Sequence, residues 1–141
     1  MRTKFSTLLI LGLIAAGNAY ALERTAAPEG ASLYFIDLKD NQTVEQELVV
    51  RFGLRGMGVA PAGIKVDKTG HHHLLIDADL PEDLSQPLPN DEQHRHFGGG
   101  QTETTVTLTP GTHTLQLVLG DFLHVPFDPP IVSPKITVTV K

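Results

Sequence analysis

The chain has no cysteine among its 141 residues, and this absence removes several kinds of chemistry. No disulfide can cross-link the fold, no thiolate can ligate a metal, and no thiol can act as a nucleophile. Tryptophan is also missing, and aromatic residues make up only 6% of the chain. A stable domain of this composition must therefore depend on the packing of its secondary structure alone.

Basic residues are scarce, and two of the eleven lie at the start of the chain. Arg2 and Lys4 precede an apolar run at 8–16 and a small-x-small site at 19–21. This order is typical of a secretory signal peptide, and the run is too short for a stable membrane anchor. We therefore expect residues 1–21 to be a signal peptide and the mature protein to be periplasmic or secreted after cleavage near Ala21.

The remaining residues, 22–141, have the length of a single domain and an acidic balance. Without Arg2 and Lys4, nine basic residues oppose sixteen acidic ones, so the net charge changes from −5 to −7. This charge argues against binding to nucleic acid or anionic lipid. No other apolar run is long enough to cross a bilayer, so we expect no membrane anchor.

Short alternating segments dominate the mature chain, and no helical repeat of useful length occurs. Their alternation of apolar and polar residues predicts strands at 31–38, 45–54, 71–79, 102–109, 112–119 and 135–140. Three long connections, 55–70, 80–100 and 120–134, separate some of them. The pattern predicts an all-β fold, an immunoglobulin-like antiparallel β-sandwich of about seven strands with long loops.

Histidine is the residue type with the most informative distribution. All seven histidines follow residue 70, and three are consecutive in the segment GHHHLLID at 70–77. Strand alternation places His72 with Leu74 and Ile76 on a core face, as a structural residue. His71 and His73 then share the opposite, outer face, about 6.6 Å apart along the strand.

An H-x-H pair on one strand is a two-armed metal chelator, and further ligands must come from elsewhere. If strands 71–79 and 112–119 are antiparallel neighbours, His124 lies near the pair and His113 lies far from it. His113 shares a face with leucines, so we expect it to be partly buried and hydrogen-bonded. The predicted metal ligands are His71, His73 and His124, with His94 or His96 closing the site from its loop.

Imidazole and carboxylate ligands suit copper(II), zinc or nickel, and copper or zinc is the predicted ion. Asp77, Asp121 and Asp128 are candidates for further ligands or for residues that orient an imidazole. The competing interpretation is a cell-envelope binding or scaffold module without metal, in which the histidines hold the long loops together. Neither a nucleophile elbow nor a paired-carboxylate pattern occurs, so the sequence does not predict an enzyme.

Five segments together resemble a family of small exported bacterial proteins, domain of unknown function 4399. They are GMGVAPAG (56–63), GHHHLLID (70–77), HFGGGQTET (96–104), PGTHTLQLVLGD (110–121) and HVPFDPP (124–130). The resemblance covers nearly all of the mature chain and implies an exported β-sandwich with no established activity. The chain departs from the family pattern at Phe127, where a second histidine often occurs, so a ligand of relatives could be missing here.

Overall fold

The computed structural model describes residues 22–141, and the predicted signal peptide lies outside the described residues. This part of the chain contains no α-helix, and hence no helix that is long and apolar enough to cross a membrane. Its nine strands are β1 (Ser32–Phe35), β2 (Gln42–Val44), β3 (Glu47–Arg55), β4 (Gly58–Val59), β5 (Thr69–Ile76), β6 (His94–His96), β7 (Glu103–Thr107), β8 (Gly111–Gly120) and β9 (Ile136–Val140).

The strands form two sheets, as expected of a sandwich. One sheet has the order β1-β3-β7, and the other has the order β2-β9-β8-β5-β4, with β6 also paired to β5. The six longer strands correspond to the six predicted segments. The short strands β2, β4 and β6 come from regions without a predicted strand, and β2 and β4 pair in parallel with their neighbours.

Apolar residues on alternate positions fill the space between the sheets, because successive strand side chains point to opposite faces. In β3, Val50 and Phe52 are buried while Val49 is exposed. Leu117 of β8 and Val138 of β9 are fully buried in the same core cluster. The strands predicted at these segments and the all-β sandwich are therefore confirmed.

Strand β5 is buried on both faces from Gly70 to Ile76. Leu74 and Ile76 enter the core between the sheets, as predicted for the face that they share with His72. Leu75, on the opposite face, packs with Leu88 and Val118 in a second apolar cluster. The long connection that contains Leu88 therefore covers the face that we expected to be an outer one, and the histidines on it are buried.

Candidate metal centre

The register of β5 and β8 places two histidines beside the end of β8. The strands are antiparallel, with His71 opposite Gly120 and His73 opposite Val118. Both imidazoles lie on the same face of β5, and they are 0% and 1% exposed. The antiparallel pairing predicted for these segments is therefore confirmed. Because of this pairing, the chain that follows Gly120 passes directly over the H-x-H pair.

A third imidazole comes from the strand on the other side of β5. His96 of β6 lies directly opposite His73 in the antiparallel register, so both side chains project from the same face. The ring centroids of His96 and His73 are 5.1 Å apart. The short strand β6 thus turns part of a long connection into a rigid support for this side chain.

The fourth imidazole, His124, is held by a tight turn after β8. Its backbone N–H donates to the carbonyl oxygen of Asp121, and its φ of 67° lies in the left-handed region. The Asp121 carboxylate accepts the backbone N–H groups of Leu123 and Val125 through Oδ1, and the Thr25 hydroxyl through Oδ2. Asp121 is only 3% exposed, so this carboxylate organises the turn from inside.

The four side chains, here called the histidine cluster, bring their ring nitrogens together. One nitrogen from each of His71, His73, His96 and His124 lies within 4.8 Å of the others. His71 Nε2 is 3.1 Å from both His73 Nε2 and His124 Nδ1. For metal–nitrogen bonds of about 2.0–2.1 Å, two ligands of a tetrahedral ion lie about 3.3 Å apart. The two 3.1 Å separations match this spacing, and the remaining ones, up to 4.8 Å, would shorten when the rings close around an ion.

Several nitrogens of the cluster have no hydrogen-bond partner. Within residues 22–141, His71 Nδ1, His73 Nδ1 and His96 Nε2 are buried and unpaired. A buried polar atom without a partner is costly, and most such atoms in proteins are paired. The Nδ1 atoms of His71 and His73 point away from the convergence point, where His71 Nε2, His73 Nε2 and His124 Nδ1 face one another. A cation bound by these three converging lone pairs would replace contacts between like acceptors, so the residues present fit a metal ion.

Two glycines make room for the cluster. A Cβ at position 98 would lie 2.4 Å from His96 Cε1, and a Cβ at position 120 would lie 2.9 Å from His73 Nε2. Both distances are too short for ordinary packing, so only glycine lets the backbone approach these rings. Gly98 and Gly120 are a sequence signal for the site that the spacing of the histidines alone does not reveal.

The environment of the cluster favours neutral imidazoles, which is the form that binds metals. Burial lowers the pKa of His71 to about 4, with a further contribution from the neighbouring His124 and His96. Burial lowers the pKa of His73 to about 2, and the neighbouring His71 adds to the effect. The pKa of His96 is lowered for the same reasons, burial first and His124 second. Lone pairs are thus available at neutral and mildly acidic pH.

The remaining histidines lie outside the cluster. His94, one of the predicted ligands, is opposite Leu75, and its Nδ1 contacts the Asp91 carboxylate at 2.8 Å. His113 contacts the Asp77 carboxylate at 2.7 Å and the Thr109 carbonyl at 2.8 Å, as expected of a partly buried, hydrogen-bonded residue. Of the two loop histidines proposed to close the site, the structure brings His96 to it.

His72 faces the core, where its ring packs against Phe52 at a centroid distance of 5.0 Å. It is fully buried, and burial lowers its pKa to about 4. Neither of its ring nitrogens has a partner in the described part of the chain. The inward orientation predicted from the alternation of β5 is therefore confirmed.

The three aspartates considered as additional ligands have other contacts. Asp77 binds His113, Asp121 organises the turn that holds His124, and Asp128 forms an ion pair with Arg24 at 3.2 Å. Of these carboxylates, Asp121 also acts electrostatically on His71, whose pKa it raises against the larger lowering effect of burial. The candidate centre therefore consists of imidazoles, with one carboxylate behind them.

Comparison with known proteins adds the family. Residues 50–141 match the family model described as Domain of unknown function (DUF4399). The chain belongs to this family. The matched range contains all four members of the histidine cluster and both glycines that make room for them. No curated protein and no solved structure matches the chain.

Phe127 occupies the position at which the resemblance implied a histidine in relatives. Its side chain is 2% exposed and packs in the core cluster between the sheets. Four imidazoles converge without a contribution from this position. The histidine cluster therefore needs no ligand at position 127 to reach the ligand number of a tetrahedral site.

Proposed function

We propose that the protein binds one transition-metal ion, copper or zinc, through His71, His73, His96 and His124. The observation that supports this proposal is the convergence of four imidazole nitrogens within 4.8 Å, with His71 Nε2 at 3.1 Å from both His73 Nε2 and His124 Nδ1. Imidazole is a good ligand for copper and zinc, and lowered pKa values keep His71 and His73 unprotonated.

The proposed role is to hold, deliver or sense the ion rather than to perform catalysis. The converging groups are all imidazoles, and the nearby carboxylate of Asp121 already accepts three hydrogen bonds. A general acid or base must reach a substrate, and a carboxylate engaged in this way is not free to do so. The predicted signal peptide supports a role in the periplasm or outside the cell.

The experiment is a titration of the mature protein, residues 22–141, with Cu(II) and with Zn(II) in competition with a chelator. One equivalent of at least one ion should bind far more tightly than millimolar. A His71→Ala/His73→Ala variant should lose this binding. His94→Ala is the matched control, since it removes a neighbouring histidine outside the cluster, and it should bind like the wild type.

The competing proposal is a cell-envelope scaffold or binding module in which the histidines are structural. Its support is that the contacts of His71 with His73 and His124 join β5 to the connection after β8. Under this proposal, neither ion binds more tightly than millimolar, or the double variant and the wild type have the same affinity. Either result would reject the metal proposal.

A further inference from the structure

The arrangement of the four rings carries information about the ion. Of the six distances between ring centroids, five fall between 4.7 and 5.1 Å, and the sixth, between His73 and His124, is 6.1 Å. Four ligands at the corners of a tetrahedron have six equal separations. At the corners of a square, two of the six are longer by a factor of about 1.4, as in the planar sites of Cu(II) and Ni(II). The ring centroids are therefore arranged more like a tetrahedron than like a square.

The supporting elements explain this three-dimensional arrangement. His71 and His73 come from one strand and His96 from its neighbour, so these three rings stand on the same face of the sheet. His124 comes from a turn that crosses above that face, and its ring is nearly perpendicular to those of His71 and His73, at 83° and 90°. Three rings that project from one face of the sheet and a fourth ring that covers them form a roughly tetrahedral arrangement of rings.

The donor atoms exclude a site built for Cu(I). That ion is selected by thiolate and thioether ligands. The chain has no cysteine, and Met57, the one methionine within residues 22–141, packs against the core between the sheets. The cluster offers neutral nitrogen donors of intermediate softness, which suit zinc.

The burial of the cluster closes the coordination sphere. His71 and His73 are almost fully buried, and His96 and His124 are half-buried above them. An ion that prefers six ligands would need two more donors in addition to the four rings. A zinc site with four protein ligands is complete, whereas catalytic zinc sites keep one position open.

We infer that the ion is Zn(II), held by the four imidazoles in a closed tetrahedral site without an exchangeable water ligand. This inference rests on the proposed function and makes it more specific. A closed site of this kind should retain the ion firmly, because the ion is released only after one of the rings has dissociated from it. His96 and His124 are the ligands positioned to leave first, since they are nearer to the solvent than His71 and His73.

Cobalt(II) is the probe, because it replaces zinc and its visible absorption reports geometry: tetrahedral Co(II) absorbs strongly, and five- or six-coordinate Co(II) absorbs weakly. The mature protein should bind one equivalent of Co(II) with the strong tetrahedral bands. One equivalent of Zn(II) should then abolish them. In His96→Ala the bands should shift and the affinity for Co(II) should fall, because water or an open position replaces a ring, and in His94→Ala both should remain as in the wild type.

Weak bands from bound Co(II), or bands that an equivalent of Zn(II) leaves in place, would overturn the zinc inference while metal binding itself survived. Strong bands that are unaffected by His96→Ala would also overturn it, because the closed site requires that ring. If neither Co(II), Zn(II) nor Cu(II) binds, the proposed function fails together with the inference. The three results are distinct, so the two claims are tested separately.

Discussion

Two residues of the histidine cluster, His71 and His73, combine almost full burial with neutral charge. Each ring of His71 and His73 lies where water cannot solvate an imidazolium, and each faces other imidazoles that would repel a second positive charge. The same burial leaves ring nitrogens unpaired in the metal-free protein. The unpaired Nδ1 atoms of His71 and His73 therefore lower the stability of the fold.

The lowered pKa values predict how the stability of the metal-free protein depends on pH. The pKa values of His71 and His72 are lowered to about 4 in the folded protein, against about 6.5 when unfolded. Below pH 6.5 the unfolded chain therefore binds more protons than the folded one, so the free energy of unfolding decreases as the pH is lowered. His113 has the opposite effect on stability, because its contact with Asp77 raises its pKa in the folded protein. This single histidine is outweighed by the several histidines whose pKa is lowered.

The measurement is the midpoint of urea unfolding with a chelator present, between pH 7 and pH 5. Most carboxylates remain ionised in this range, so histidines dominate the change. The midpoint should fall steadily as the pH decreases. A midpoint that stays constant or rises would contradict the account of buried neutral rings.

Gly98 offers a test at the level of one carbon atom. In Gly98→Ala the new Cβ would lie 2.4 Å from His96 Cε1, so the ring must move away from the cluster. We expect metal affinity to fall by about 10- to 100-fold, the range seen when the support of a ligand is lost. Gly99→Ala is the control, because its Cβ would meet only the flexible side chain of Gln101. Equal affinities in a chelator competition assay would contradict the account.

At the scale of elements, the turn between β8 and the following connection fixes the position of His124. Asp121 holds this turn by accepting two backbone N–H groups and the Thr25 hydroxyl. Asp121→Ala removes these contacts and should weaken metal binding by about tenfold or more. Asp121→Asn keeps an oxygen for the two backbone N–H groups and should bind more tightly than the alanine variant. Wild-type affinity in Asp121→Ala would show that the turn does not position the ligand.

The same elements show what the sequence could and could not predict. Alternation correctly predicted the six longer strands, and in the segment 71–79 it correctly predicted that His72, Leu74 and Ile76 face the core. The pairing of segment 71–79 with 112–119 then placed His124 near His71 and His73 correctly. Strand β6 has only three residues and no apolar alternation, so its pairing with β5 was not visible, and His96 could not be separated from His94.

The outer face of β5 is the other point at which sequence reasoning was insufficient. Periodicity distinguishes two faces of a strand, but it does not reveal whether a loop covers the second one. Here Leu88, from the connection of residues 80–100, packs against Leu75 and closes that face. The burial of His71 and His73, and the lowered pKa values that follow from it, depend on this long-range contact.

At the scale of the whole molecule, metal binding and folding should be coupled. The cluster joins strand β5 to β6 and to the turn after β8, so the metal site exists only in the folded chain. A ligand that binds only the folded state at 100 times its dissociation constant stabilises it by about 2.7 kcal/mol. For a domain of this size, the unfolding temperature should rise by about 10 °C.

Differential scanning calorimetry with and without Zn(II) measures this coupling. His96→Ala should remove most of the increase, whereas His113→Ala, which alters a histidine on the far end of β8, should retain it. An unfolding temperature that Zn(II) does not change in the wild type would contradict the coupling.

The most direct test of the central claim is a crystal structure of the zinc-loaded mature protein, with anomalous scattering measured at the zinc edge. The account predicts one strong anomalous peak at about 2.0–2.1 Å from one nitrogen each of His71, His73, His96 and His124. A peak at another location, such as between His94 and Asp91, or no peak in the histidine cluster, would contradict it.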